Sequence, residues 1–340
     1  MILCKRVPLF FLLLFFQYIH SSFAQDAHYS QFYANPLYLN PAFAGTVNCP
    51  RISVNFRDQW PAVKNNFLTF SGSYDQHIYA IHGGIGILFS ADILGKGMYQ
   101  SYNAGAIYNY RQQISHQFVL QFALQGSYLS TSFNWNKLEF ASDILNPNLP
   151  TDLPKDKPHT FKTSQFDVSA GVVCYSPYLY FGLATHHLLP FKMSSMNLEN
   201  KGRWNIKWTA HMGGKITIHQ KIHSEINIGD IFFHPNIIFI SQRNTNYLHE
   251  GFYFNFYPFT IGAWIRHSFI NADAFIISCG FEHKIFRIGY SYDFSLSKLE
   301  RLGGAHEVSL QFLIPCDPDK LQKASKDKSK RFLPVQCPKF

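Results

Sequence analysis

The stretch Gln117-Phe118-Val119-Leu120-Gln121-Phe122-Ala123-Leu124-Gln125-Gly126-Ser127-Tyr128 decides the fold. Successive side chains of a β-strand point to opposite faces, so every second residue shares one. Phe118, Leu120, Phe122, Leu124 and Tyr128 share a face with Gly126, while Gln117, Gln121, Gln125 and Ser127 share the other. Residues 204–218 repeat the pattern at greater length. There Trp204, Ile206, Trp208, Ala210, Met212, Ile216 and Ile218 alternate with Asn205, Lys207, Thr209, His211, Lys215 and Thr217. Strands of soluble sandwiches run to about 5–6 residues. A tilted strand that crosses a bilayer takes about 9–11 residues. The length of these runs predicts an all-β protein, a transmembrane β-barrel.

Further strands are predicted at 51–58, 67–75, 83–91, 98–111, 165–175, 178–186, 222–230, 248–257, 259–267, 273–283, 286–294 and 305–314. The barrel then occupies 51–314 with about 14 antiparallel strands. Its connections sort by length. Those after even-numbered strands are short, as at Gln112–Ser115, Ser176-Pro177, His219–Lys221, Pro258 and Lys284-Ile285. Those after odd-numbered strands are longer, as at Ser132–Ser164, His187–Arg203, Ile231–Tyr247 and Ser295–Gly304. Short periplasmic turns and long outer loops belong to outer-membrane barrels. Both chain ends are therefore expected in the periplasm. Tyr108, Tyr110, Tyr128, Trp204 and Tyr292, near strand ends, are candidates for interfacial girdles.

Residues 1–24 read as a secretory signal peptide. Lys5 and Arg6 precede an apolar run from Val7 to Phe16, and Ser22-Phe23-Ala24 closes it before Gln25. The run is too short for a membrane-spanning helix, which takes about 20 residues. Composition agrees with a barrel: aromatics are 17%, with 34 Phe and 19 Tyr, and charged residues only 15%. A secreted β-sandwich is the soluble alternative. The net charge of +9 owes much to residues 315–340, a basic tail expected in the periplasm. That concentration argues against a nucleic-acid site. Five cysteines follow the signal peptide, and an oxidising compartment favours disulfides. Cys316 with Cys337 is the candidate pair; Cys174 and Cys279 fall on apolar strand faces.

No catalytic, cofactor or metal site emerges. His186-His187, His211, His219 and His223 show no metal-ligand spacing. Gly83-Gly84-Ile85-Gly86 lacks the helix and Lys-Ser/Thr of a phosphate loop. Asp75, Asp92, Asp143 and Asp167 lie on separate segments, and no serine sits in a nucleophile elbow. Arg111, Lys207, Lys215, Arg266 and Arg287 are expected to face the lumen with Asp167, Glu225 and Asp293.

Several blocks resemble the PorP/SprF family, outer-membrane components of the type IX secretion system in Bacteroidota. The first is Gln25-Asp26 with Tyr29-Ser30-Gln31-Phe32-Tyr33 and Pro36-Leu37-Tyr38-Leu39-Asn40-Pro41-Ala42-Phe43-Ala44-Gly45. Arg57-Asp58-Gln59-Trp60-Pro61 is similar to the next, and Tyr74-Asp75, Gly83–Gly86, Asp92 and Gly95 to a third. Asn134-Trp135, Lys137-Leu138, Phe140 and Asp143 continue the series. Gly289–Asp293, Gly303–Leu310 with His306 and Glu307, and Cys337–Phe340 close it. The resemblance implies a non-enzymatic barrel that assists export or surface anchoring of proteins carrying a C-terminal sorting domain, gliding adhesins among them. It also implies partners in the periplasmic secretion machinery. A diffusion channel for small solutes or hydrophobic ligands is the alternative.

Residues 25–50 hold Pro36, Pro41 and Pro50 and the turn-forming pairs Asn35-Pro36 and Asn40-Pro41, against a regular strand or helix. Such a segment either docks a periplasmic partner or folds back into the barrel as a plug. The need to bury Tyr33, Leu37, Leu39 and Phe43 favours the plug.

Overall fold

Along the strand that contains the deciding stretch, the polar residues are the buried ones. Gln121, Gln125, Ser127 and Thr131 are hidden, whereas Phe122, Leu124 and Tyr128 are 49%, 64% and 46% exposed. A soluble sheet buries its apolar face; a wall with the reverse pattern faces hydrocarbon. The inversion recurs around the molecule. Ser53 and Asn55 are buried beside exposed Val54, and Thr209 and His211 beside exposed Trp208 and Met212.

The computed structural model describes residues 26–47, 49–63, 66–115, 117–134, 137, 161–189, 191–192, 203–219, 231–268, 271–296 and 303–316. The first strands are β1 (Arg51–Gln59), β2 (Phe67–Ile78), β3 (Gly83–Leu94), β4 (Tyr99–Gln113), β5 (Val119–Phe133), β6 (Phe161–Tyr175) and β7 (Leu179–His186). A small hairpin, β8 (Phe191–Lys192) and β9 (Arg203–Trp204), stands apart from the wall. The wall continues through β10 (Lys207–Gly214), β11 (Ile216–His219), β12 (Ile231–Gln242), β13 (Thr245–Phe256) and β14 (Phe259–Ser268). It ends with β15 (Ala272–His283), β16 (Phe286–Ser295) and β17 (Ala305–Leu313). All neighbours are antiparallel, and β1 pairs with β17 from Arg51↔Leu313 to Gln59↔Ala305. β10 and β11 lie end to end along β12 as one interrupted stave, so the wall is a closed barrel of 14 staves. Closure pairs every edge, which a sheet in hydrocarbon requires.

The ninth stave departs from the sequence reading. It is β12, in a stretch assigned to a loop, while the strand expected at 222–230 lies outside the described residues. Phe232-Phe233-His234-Pro235-Asn236-Ile237-Ile238-Phe239-Ile240 lacks clean alternation and holds a proline, which argues against a central strand. The wall accommodates Pro235 by a break. Gly213 pairs with Asn236 and Ile216 with Phe233, so the interruption at Lys215 falls opposite His234 and Pro235. Proline has no N–H to give there. The shift also exchanges two connections: 220–230 joins staves at the end of the tight turns, and Arg243-Asn244 is a tight turn at the long-loop end.

The disulfide is a second correction. Cys316 bonds to Cys49, with Cα atoms 5.5 Å apart and a sequence separation of 267. Cys337 lies outside the described residues. Cys49 lies just before β1, with Pro50 between, and Cys316 shortly after β17, past Ile314 and Pro315, so the bond staples the seam where the first and last staves meet. Sequence proximity favoured Cys337; only the pairing of first strand with last brings Cys49 alongside. Cys174 and Cys279 are free.

A bond closing so long a loop contributes up to about 5 kcal/mol by constraining the unfolded chain. Non-reducing peptide mapping is expected to recover Cys49 joined to Cys316, and Cys49→Ser to lower the temperature of the gel-mobility shift. Recovery of Cys316 joined to Cys337 would refute the seam staple.

Candidate functional site

Eight staves give a barrel interior that side chains just fill. Fourteen leave a space, and residues 26–46 occupy it. They fold as a 3-10 turn at Phe32–Ala34, a single helical turn α1 (Pro36–Leu39) and a 3-10 turn at Pro41–Phe43. Proline suits the first position of each of the last two, where no N–H is needed. Asn40 caps the last turn by accepting from the Ala42 N–H at 2.9 Å. Tyr29, Phe32, Tyr33, Leu37, Leu39 and Phe43 are all buried. The segment is therefore a plug within the barrel.

Three polar clusters join plug to wall. In the first, Glu307 on β17 accepts the Ser30 N–H at 2.7 Å on one carboxylate oxygen and the Gln31 N–H at 3.0 Å on the other. Arg57 on β1 reaches Glu307 at 3.2 Å, Asp293 at 2.8 Å and Ser30 Oγ at 2.9 Å. Arg266 on β14 bridges Asp293 at 3.1 Å and Asp273 at 2.6 Å. Gln31 Nε2 donates to the Glu307 carbonyl, and Ser309 donates to Gln31 Oε1. Removed from water, each of these charges depends on its partners.

The second cluster anchors the other end of the plug. Asn40 Nδ2 donates to the carbonyls of Val172 on β6 and Leu183 on β7, and lies 3.1 Å from His211 on β10. A Cβ at Gly171 would come within 2.1 Å of Asn40 Oδ1, so glycine there leaves the room. Gly45, at φ +67°, donates to Asp75, and Asp75 also holds Arg51 at 2.8 Å. Gly45 lies back to back with Gly84: a Cβ on Gly45 would stand 2.6 Å from the Gly84 Cα. Asn109 Nδ2 donates to the carbonyls of Ala42 and Ala44.

The third cluster holds Asp26. Its carboxylate meets Lys207 at 3.2 Å, His187 at 3.0 Å and Gln242 Nε2 at 3.1 Å. His187 contacts Asp167 at 2.9 Å through its other nitrogen. Burial opposes a charge on His187, but Asp26 and Asp167 outweigh it and raise its pKa to about 9. Burial likewise opposes the Asp26 carboxylate, and His187 with Lys207 still hold its pKa well below the usual range. His28 goes the other way, pushed down to about 3 by burial and by the charges of Lys207 and Arg266.

Ser30, Gln31, Arg57 and Glu307, scattered in sequence, thus meet in one cluster, and Asn40, Pro41, Ala42 and Gly45 meet in another. Tyr29 stacks edge-on to Tyr38 at 5.0 Å inside the plug. Gln59, Trp60 and His306 do not join them. Gln59 ends β1; the Trp60 N–H donates to Gly304 at the rim, and His306 lies 2.8 Å from the Tyr290 hydroxyl. Sequence reading missed His187 and Gln242, both assigned to loops, and Asn109. Lys207, Asp167, Arg266 and Asp293 are buried in the lumen. The expectation of two periplasmic chain ends concerns residues 1–25 and 317–340, outside the described ones. Asp26 sits beside the first residue of β10 and the last of β12, at the long-loop mouth, whereas Cys316 is at the opposite mouth. The two ends of the described chain do not share a side.

These features define a plugged barrel of the outer-membrane kind. Residues 21–312 match the family described as type IX secretion system membrane protein PorP/SprF, and the chain belongs to that family. In fold it is similar to the toluene transporter TbuX of Ralstonia pickettii, at 8% identity over 82% of this chain and 93% of that one (TM-score 0.44). It is also similar to the P. putida toluene transporter TodX, at 10% identity over 82% and 93% (TM-score 0.44). A FadL homologue of Pseudomonas aeruginosa matches at 12% identity over 80% and 92% (TM-score 0.43). Likeness at this level carries no argument about function. No curated protein matches the chain.

Arg57→Ala leaves two buried carboxylates without their main partner, and is expected to destabilise by about 3–5 kcal/mol. The loss is read as a lower temperature of the gel-mobility shift, and wild-type behaviour would show that the cluster holds nothing. The Asp26 contacts predict a pH dependence. With a raised pKa, His187 stabilises fully below its unfolded value of 6.5 and loses that contribution as pH rises through about 9. This amounts to about 3 kcal/mol. Asp26, with a depressed pKa, contributes above 3.8 and fails only in stronger acid. Protease cleavage near Asp26 is expected to accelerate between about pH 6.5 and 9 in the wild type, but not in His187→Gln.

Proposed function

We propose that this protein is a closed, non-enzymatic accessory of the type IX secretion system. In this reading it assists export or surface anchoring of proteins with a C-terminal sorting domain, gliding adhesins among them. The long loops face outward, and the tight turns, Cys316 and the basic tail face the periplasm and its secretion machinery, once residues 1–24 have been removed. The observation that carries the reading is the filled lumen. A plug held by hydrogen bonds and ion pairs to staves all around the wall leaves the surfaces, rather than a passage, to act on partners. The diffusion-channel reading requires that plug to leave.

Deletion of the gene is expected to leave a cognate surface protein unexported or shed; normal display of every such protein would sink the proposal. Purified protein in planar bilayers is expected to show no steady conductance, and a variant lacking residues 26–46 to conduct. Steady conductance by the wild type would favour the channel.

A further inference from the structure

The outward face of the barrel is apolar almost throughout, and Glu250 breaks the rule. It lies within β13, across from Ile237 on β12 and Ile265 on β14, which are 42% and 48% exposed. Its own side chain is 52% exposed. Among the described residues of the wall, the other outward-facing charges, Asp58 and Lys162, lie next to strand ends. Asp58 also accepts from Asn66 Nδ2 at 2.7 Å. A charge on a lipid-facing wall is destabilising in proportion to its depth, so one placed inside a strand calls for a partner. His267, one row nearer the long-loop end, stands 3.5 Å from Glu250 and is too far to satisfy it alone.

Directly against Glu250 runs an apolar groove of about 380 Å³, lined by Phe233, Ile237, Phe252, Ala263, Ile265 and Phe275. Phe252 and Ala263 lie in the row below Glu250, away from the long-loop mouth, so the groove leads from the acid toward the middle of the wall. Ala263 makes the depression between larger neighbours. A polar contact at the top and an apolar trough beneath it match an amphiphile standing in the bilayer, head up and chain down.

We infer that this face binds one membrane amphiphile whose head carries an ammonium group. Its acyl chain fills the groove, the ammonium pairs with Glu250, and a phosphate beside the ammonium meets His267. A second groove on the outer wall, about 790 Å³ and floored by Gly72, Ala104 and Gly126, has no charged side chain and takes acyl chains whatever their head. It serves as the internal control.

The test is native mass spectrometry of the detergent-purified full chain with equimolar phosphatidylethanolamine and phosphatidylglycerol of identical acyl chains. The wild type is expected to retain phosphatidylethanolamine on the order of tenfold better, since a charge-assisted contact is worth about 1.5 kcal/mol or more. Glu250→Gln is expected to bring the two lipids to parity, and Ala263→Phe to abolish the selective adduct while leaving the barrel folded by gel mobility. An unchanged preference in Glu250→Gln, or none in the wild type, would overturn the assignment. So would a co-purifying polypeptide that excludes both lipids until Glu250 is neutralised, which would give the groove to a protein partner.

Discussion

Inside a wall that faces hydrocarbon, the Glu307 carboxylate accepts one hydrogen bond from the Ser30 N–H and one from the Gln31 N–H, an oxygen for each. Two consecutive N–H groups at the entry to a turn have no partners of their own in the plug. A buried donor left unmet costs about 1–3 kcal/mol. Glu307 satisfies both, and Arg57 holds it in place from the neighbouring stave across the seam. The arrangement needs β1 beside β17, needs the plug inside, and needs the Asp293 carboxylate to pair with both Arg57 and Arg266. Wall closure, lumen filling and charge balance meet at this one carboxylate.

The rest of the interior follows from the same constraint. A wide barrel with polar residues turned inward must find them partners, and the plug supplies some of these. The plug supplies carbonyls to Asn109 and Gln311, N–H groups to Glu307 and Asp75, and rings to the apolar patch of Tyr180, Tyr253 and Trp264. Its own backbone bonds close only short turns, such as Asn40 N–H to Pro36 and Ala44 N–H to Pro41, and other donors and acceptors reach the wall. Pro36 and Pro41 each open a turn at a position that needs no N–H, and keep the segment from forming a longer helix or a strand.

How much of this the sequence revealed depends on the range of each interaction. Alternation over 117–128 is local, and it gave the faces of β5 correctly, glutamines inward and aromatics outward. β12 was hidden because its signal is also local: Pro235 and a nearly continuous apolar run erase the period, and only the break in the adjacent stave explains how the wall tolerates them. Ser30, Gln31, Arg57 and Glu307 stood out as members of separate blocks, but nothing in their spacing said they would touch. Their meeting is set by closure, which brings Arg57 and Glu307 together across 250 positions of sequence. The bond from Cys49 to Cys316 was missed for the same reason. His187 was weighed only as a metal ligand and Gln242 not at all, because their role exists only once Asp26 has crossed the lumen.

Among the described residues, the disulfide staples the plug at one end. Its C-terminal end runs into Cys49, stapled to the seam at the tight-turn mouth; Asp26, at the far mouth, is held by charges and hydrogen bonds. Released from Lys207, His187 and Glu307, the plug would remain leashed to the rim. The stretch from Asp26 to Cys49, drawn straight, would span about 80 Å, more than twice the roughly 30 Å of a bilayer's hydrocarbon. The same twenty-odd residues that stop the barrel when folded would, unfolded, make a line cast well clear of it.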